Sequence, residues 1–509
     1  MSFLSRLAIS VLGGCAMWAA HAPLSLWPLV FLSLASLWLS IYHTTVMRAF
    51  LLGAVWGMSF FTPHLFWASI AADSLLALTA LVVSQSLFIA IVALLWSQIS
   101  RMPSIYSWIF AALVWAGLEH VRGSLPFGGM PWGKIAFALN DSPLISLAPW
   151  GSTLLVGCAG SAISILISQA LLAFPSCPYR GIASIGIACM GLICPLLLPI
   201  GGKPDGNITI GIIQGNSPTK EEVPDGWLRA LEVTRNHANL ANKVSGADLV
   251  VFPESTSDHD IREDSQAYDL IDGIIKDVRV PILLGTQEYV ENGRYNDYLA
   301  IDETGEIVAR YSKQHPVPFG EYIPLRSYIA QISDTVAHII DQVRIDMLPG
   351  KGPARLDIHT ARGDVGVATP ICFEVAYDDL VAEAIVGVQN QNPASLIVVP
   401  TNNASFGKSG EPYQQFEMTR FRAVEHGRSA IQVSTTGVSG LIEPNGVVRY
   451  VSELLDSDAR VVDVTLRKDL KFATVTAVYR EYLGYVFVLI GTCVAILARR
   501  RYGKYHNAD

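Results

Sequence analysis

The chain has 509 residues, of which 51% are hydrophobic and 16% charged, and its mean hydropathy is positive. A soluble chain of this length would form about three average domains, but this composition points to membrane segments instead. The net charge of −8 gives no basic footprint for nucleic acid, so none is expected as a partner.

The charges are unevenly spread. They are scarce up to about residue 202 and ordinary from 203 to 481. A membrane domain over 1–202, a globular domain over 203–478 and a last helix with a basic tail over 479–509 are therefore expected. A helix needs roughly 20 apolar residues to cross a bilayer. Stretch 7–42 has no Asp, Glu, Lys or Arg and divides at "HAP" (21–23) into two spans. Stretches 49–72, 74–100, 102–118, 143–174 and 181–200 make five more, and 482–498 makes an eighth. Trp often falls near an end of these spans, as interfacial belts prefer.

With eight crossings, Arg6, Arg48, Arg101, Arg180 and the cluster Arg499, Arg500, Arg501 and Lys504 share one side. The positive-inside rule makes that side cytoplasmic, with both termini. Arg122 and Lys134 run against the rule in an outer loop. The globular domain then faces the extracytoplasmic space. "VLGGC" (11–15) has the look of a lipoprotein signal, but the apolar run before Cys15 is very short and seven more spans follow. This segment is expected to be retained.

The globular part alternates strands and helices. "ITIGIIQGN" (208–216) and "ADLVVFPES" (247–255) read as strands, with helical spacing over 226–245 between them. A helix at 264–277 and a strand at 280–290 follow. Residues 295–313 form a hairpin with its turn near Glu303 to Gly305. "DVGVATPICFEV" (364–375) reads as a strand ending at Cys372, and "ASLIVVPTNN" (394–403) as another. A helix at 413–427 stops at Gly427, and 429–452 gives strand, turn and strand. Near-continuously apolar strands mixed with helices predict an α/β layered sandwich. Residues 325–347 read either as an arm lying near the bilayer or as a helix packed on the domain. Glu119 and Arg122, near the end of the fifth span, are expected to pair there, for function or for structure.

The polar residues of interest stand where strands end, on loops that a rigid scaffold can present. Cys372 has no second cysteine in the globular part to pair with. No C-x-x-C is present, and His259, His315, His359 and His426 are scattered, so no metal site is expected. Buried filler or nucleophile remains, and a thiol needs a base or a positive neighbour to react. Glu254 is either a solvated acid or a base whose pKa is raised by partial burial. Lys313 is either a surface lysine or an oxyanion donor on a loop fixed by Pro, Phe, Gly and Tyr. No P-loop (G-x-x-x-x-G-K-[ST]) or G-x-G-x-x-G stretch appears, and no cofactor is expected.

The order Glu254, Lys313, Cys372 resembles the nitrilase superfamily, whose fold is an αββα sandwich. The surrounding spans narrow this to the apolipoprotein N-acyltransferase family. "KQHPVPFGEYIP" (313–324), "PICFEV" (370–375), "FGKSGEPYQQFEMTRFRAVEHGR" (406–428), "TTGVSGLI" (435–442) and, in the membrane part, "EHVRGSLPFGGMPW" (119–132) are similar to stretches of that family. Three departures stand out. Phe373 replaces the family's usual Tyr, Val223 stands where a Trp is common, with Trp227 nearby, and "NASFG" (403–407) replaces a D-A-W-F-G run. The resemblance implies a ping-pong acyl transfer through a thioester on Cys372. The donor would be a membrane phospholipid and the acceptor the N-terminal S-diacylglyceryl-cysteine of apolipoproteins. It implies Glu254 as base, Lys313 and the Phe373 N–H as oxyanion donors, Glu321 holding Lys313, and Glu374 in the site. A monomer is expected. The rival is a membrane-bound nitrilase-type amidase or hydrolase, in which water replaces the amine.

Overall fold

The computed structural model describes residues 1–388 and 391–502; Lys504 of the basic tail lies outside them. The chain forms two compact units. One comprises 1–69, 73–199 and 476–509, and the other 70–72 and 200–475.

The first unit is helical. Among the described residues, six helices are long and apolar enough to cross a membrane: Phe3–Ala20, Val46–His64, Leu75–Ile99, Pro143–Ala173, Pro178–Leu197 and Ala477–Arg501. This corrects the expected count of eight. The second expected span is a helix of 13 residues, Leu29–Ile41, about 20 Å long against a hydrocarbon core of about 30 Å. The fifth, Ser104–Ser124, has 21 residues, but Glu119, His120 and Arg122 dilute its apolar character. The core of this unit is aromatic. Trp38, Trp56 and Trp96 are fully buried, and the Trp38 and Trp96 rings meet edge to face at 5.6 Å, a favoured aromatic geometry. Arg122 donates to the carbonyls of Met130 (2.9 Å) and Trp132 (2.7 Å) and to Gln85 Oε1 (3.0 Å). Glu119 accepts from the Ile135 N–H at 2.9 Å. The charged end of this helix thus ties down the 130–135 loop.

Among its described residues the second unit holds twelve strands: β1 (Gly206–Gln214), β2 (Leu249–Val251), β3 (Ile282–Val290), β4 (Gly293–Ile301), β5 (Ile307–Ser312), β6 (Arg355–Thr360), β7 (Gly363–Ala368), β8 (Leu396–Thr401), β9 (Ala430–Ser434), β10 (Gly440–Ile442), β11 (Val448–Val451) and β12 (Asp458–Leu466). They form two six-stranded sheets, in the orders β12-β1-β2-β3-β4-β5 and β11-β10-β9-β8-β7-β6. The centre of each is parallel, β1-β2-β3 and β7-β8-β9, and every other pairing is antiparallel. Strands β2, β8 and β9 are buried along their whole length, as parallel strands covered on both faces require.

Helix Ser265–Val278 buries Ile271, Ile274 and Ile275 against Val250, Ile282 and Leu284 of the first sheet. The i, i+3, i+4 spacing of those isoleucines makes one apolar stripe. Polar bonds join the two sheets: Ser439 Oγ donates to Gln214 Oε1 at 2.6 Å, and Thr435 Oγ1 to the Glu254 carbonyl at 2.8 Å. The result is the nitrilase-like α/β sandwich. Residues 325–347 form two short helices, Arg326–Ile329 and Asp334–Ile340, with Tyr328 and Ile332 largely exposed.

Candidate active site

The three candidate residues leave the sheets at the carboxyl ends of β2, β5 and β7, where ligands of α/β sheets usually bind. Lys313 directly follows β5. Glu254 and Cys372 lie a few residues further on, because Pro253 and Pro370 lack the N–H a ladder needs and end their strands early. Gly285 on β3 faces the Glu254 segment. A Cβ there would lie 2.6 Å from the Pro253 carbonyl oxygen and 2.8 Å from Glu254 Cα, so only glycine lets the two backbones approach.

Cys372 opens a 3-10 turn, Cys372–Ala376, with a φ of 54°. This left-handed conformation is uncommon for a residue with a side chain, and such strain is a pointer to function. Glu374 braces the turn. Its carboxylate accepts from the Ile371 N–H (2.8 Å), the Gln314 N–H (2.7 Å), the His315 N–H (3.0 Å) and the Tyr311 hydroxyl (2.9 Å). It therefore ties the cysteine turn to the loop that begins at Lys313.

Lys313 is 0% exposed and Glu254 4%. The Lys313 Nζ lies 2.6 Å from Glu321 Oε1 and 3.4 Å from Glu254 Oε1. The other oxygen of Glu321 accepts from the Val317 N–H at 2.7 Å, which closes the 313–321 loop. Asn296 Nδ2 donates to Glu254 Oε1 at 2.6 Å, and the Cys372 thiol is a close electrostatic neighbour of the Glu254 carboxyl. Thus one cation, two carboxylates and one thiol share an enclosed space.

The electrostatics follow from burial. Burial alone would pull the Lys313 ammonium down, but Glu254 and Glu321 outweigh it and hold it above the ordinary lysine value. Burial raises the Glu254 carboxyl, and Lys313 works against that rise. Burial, then the Glu254 charge, pushes the Cys372 thiol well up. The resting group is a thiol beside a base of raised pKa, with a permanent cation next to both.

The structure brings Glu254, Lys313, Cys372, Glu321 and Glu374 together. Phe373 is buried on the same turn, its ring 5.9 Å from Tyr377 in an edge-on contact. Four further residues escape a reading of the sequence. Asn296 holds Glu254 from mid-strand β4, where nothing local marks it. Tyr311 looks like an ordinary core aromatic on β5. Gln415 donates to Cys372 Sγ at 3.4 Å from inside helix Glu411–His426. Asn403, its neighbour, registers only as a departure in "NASFG".

Comparison with known proteins bears on the family. The profile of the carbon-nitrogen hydrolases matches residues 209–466, and that of the apolipoprotein N-acyltransferase N-terminal domain matches 13–166. Fold and matched region define the class: a carbon-nitrogen hydrolase domain carried by a chain of membrane character. An apolipoprotein N-acyltransferase of Azotobacter vinelandii is 30% identical, over 86% of this chain and 85% of its own. That of Geobacter metallireducens is 27% identical over 94% and 92%. The chain belongs to the apolipoprotein N-acyltransferase family. Among solved structures, an amidase from Nesterenkonia sp. is 18% identical with a TM-score of 0.38, covering 54% of this chain and 96% of that one.

Proposed function

We propose that this chain is an apolipoprotein N-acyltransferase acting at the bacterial inner membrane. It moves a fatty acyl group from a membrane phospholipid to the α-amino group of an N-terminal S-diacylglyceryl-cysteine. The observation that carries the reading is the buried Glu254–Lys313–Cys372 cluster, in a chain whose relatives bear that name. The globular unit faces the extracytoplasmic side and both termini face the cytoplasm, as Arg6 near the start of the first span, Arg180 and the Arg499 to Arg501 cluster favour.

Glu254 takes the Cys372 proton as the sulfur attacks the phospholipid ester carbonyl. Its raised carboxyl is a better base than an ordinary glutamate. Lys313 and the Phe373 N–H hold the oxyanion. The carbon–oxygen bond breaks, and the lysophospholipid leaves with the proton from Glu254. The free amine then attacks the thioester and gives a proton to Glu254. The carbon–sulfur bond breaks, the amide departs, and the proton returns to the Cys372 sulfur. Glu321 keeps Lys313 charged and in place.

The test is a product assay. The full chain is incubated in phospholipid vesicles with an S-diacylglyceryl-cysteine peptide. A peptide heavier by one fatty acyl group is expected, together with lysophospholipid. Free fatty acid with an unchanged peptide would instead make the protein a hydrolase.

A further inference from the structure

Against the sulfur stands a chain of buried polar side chains that the mechanism above does not use. Gln415, Asn403 and Glu411 are 0%, 1% and 2% exposed. Asn403 Oδ1 accepts from the hydroxyls of Thr401 (2.9 Å) and Ser434 (2.7 Å). Ser434 Oγ in turn accepts from the Gly437 N–H at 2.8 Å, so its own proton must point to Asn403. A Cβ at Gly437 would lie 2.1 Å from Asn403 Oδ1; the cradle closes only around glycine. With its oxygen so fixed, Asn403 turns its NH2 the other way. It donates to Glu411 Oε2 (2.8 Å) and to Gln415 Oε1 (2.9 Å). That occupies the oxygen of Gln415 and leaves its NH2 facing Cys372 Sγ at 3.4 Å. Every donor and acceptor in the chain thereby has one direction.

We infer that Gln415 is a catalytic hydrogen-bond donor to the Cys372 sulfur, oriented by Asn403 and Glu411 as positioning residues. This rests on the proposed thioester route and adds to it. As Glu254 takes the thiol proton, the Gln415 donor already stands against the sulfur and favours the charged form. The donor acts again when the thiolate departs from the collapsing second intermediate. The ionisable groups that bear on the sulfur are Lys313, which favours the thiolate, and Glu254, Glu321 and, once ionised, Glu411, which oppose it. Burial keeps the Glu411 carboxyl protonated to about 8, so at neutral pH it accepts from Asn403 without adding a negative charge beside the thiolate. A neutral amide donor then meets the sulfur in a site already crowded with carboxylates.

The "NASFG" departure becomes intelligible. Aspartate at 403 has no NH2. Gln415 would have to turn its own NH2 toward that carboxylate and present its oxygen to the sulfur.

The test measures iodoacetamide alkylation of Cys372 across pH, by mass spectrometry of the full chain, in wild type, Gln415→Met and Asn403→Asp. Loss of one hydrogen bond to a charged group should slow alkylation about tenfold and move its pH midpoint up about one unit in both variants. Thermal unfolding should stay close to wild type. An unchanged alkylation profile in either variant overturns the inference. So does a slower rate that appears only with a lost unfolding transition, which would make Gln415 a packing residue. Acyl-peptide formation by wild type is scored separately. Its failure would remove the thioester route, while the alkylation profiles still decide what Gln415 does.

Discussion

Glu411 is a carboxyl held almost entirely away from water, with Asn403 as its hydrogen-bond partner. Burial lifts it from the ordinary 4.5 to about 8. The folded chain therefore binds this proton more tightly than the unfolded chain. The stability it contributes is complete below the unfolded value of 4.5 and is lost as pH rises through about 8. Glu411→Gln keeps the accepting oxygen and cannot ionise. Wild type should lose stability relative to this variant between about pH 5 and about pH 9, by on the order of 2–4 kcal/mol. Denaturant titrations of both proteins at the two pH values check this, and parallel profiles would refute it.

At the same scale, the residues legible in the sequence were those whose chemistry is unusual for their place. Cys372 has no disulfide partner, and Glu254 and Lys313 follow apolar strands, so each invites a question. Gln415 and Asn296 are uncharged amides on a regular helix and strand. Nothing local separates them from the amides on any polar face, and only the meeting of distant elements gives them a partner.

The Cys372–Ala376 turn has little regular structure of its own. It is held by Glu374, which collects three backbone N–H groups and a phenol, and by Arg422 of helix Glu411–His426. Arg422 donates to the carbonyls of Val375 (2.8 Å) and Ala376 (3.0 Å) and pairs with Asp378 at 2.7 Å. Glu374→Ala would strand several buried N–H groups at once. Each costs about 1–3 kcal/mol, so a loss of roughly 3 kcal/mol or more is expected in chemical unfolding of the full chain. A loss below about 1 kcal/mol would show that water or neighbouring groups replace the carboxylate.

The strand reading placed Cys372 at the end of a strand. The ladder stops at Ala368 instead, because Pro370 cannot donate and Glu374 draws the chain into a turn. Strands β6 and β12 went unread. Both carry polar or charged residues in alternation, Asp357 and His359 on one and Asp458 and Arg460 on the other, and both are outer strands of their sheets. Half-solvated edges lack the apolar run that marked β2 and β8.

The two sheets of the globular unit follow one plan. Each has three parallel strands at its centre, an antiparallel pair to one side and a single antiparallel strand to the other. Strands β2 and β8 hold equivalent places, and the chain leaving them delivers Glu254 and Asn403 to the surroundings of Cys372. A base and an amide relay thus come from like positions in the two halves.

The fold class was legible because near-continuous apolar strands leave few alternatives. The span count was not. Helix Leu29–Ile41 is shorter than the other six and helix Ser104–Ser124 carries charge at its end, and neither difference shows when apolar stretches are read by eye along the sequence.

The central claim is that the acyl group rests on Cys372 between donor and acceptor. It is tested most directly by mass spectrometry of the full chain after incubation with phospholipid alone. The account predicts one fatty acyl mass on the peptide containing Cys372, released by an S-diacylglyceryl-cysteine peptide much faster than by water and absent in Cys372→Ala. Acyl-peptide formation by protein that carries no such adduct, or by Cys372→Ala itself, would contradict it.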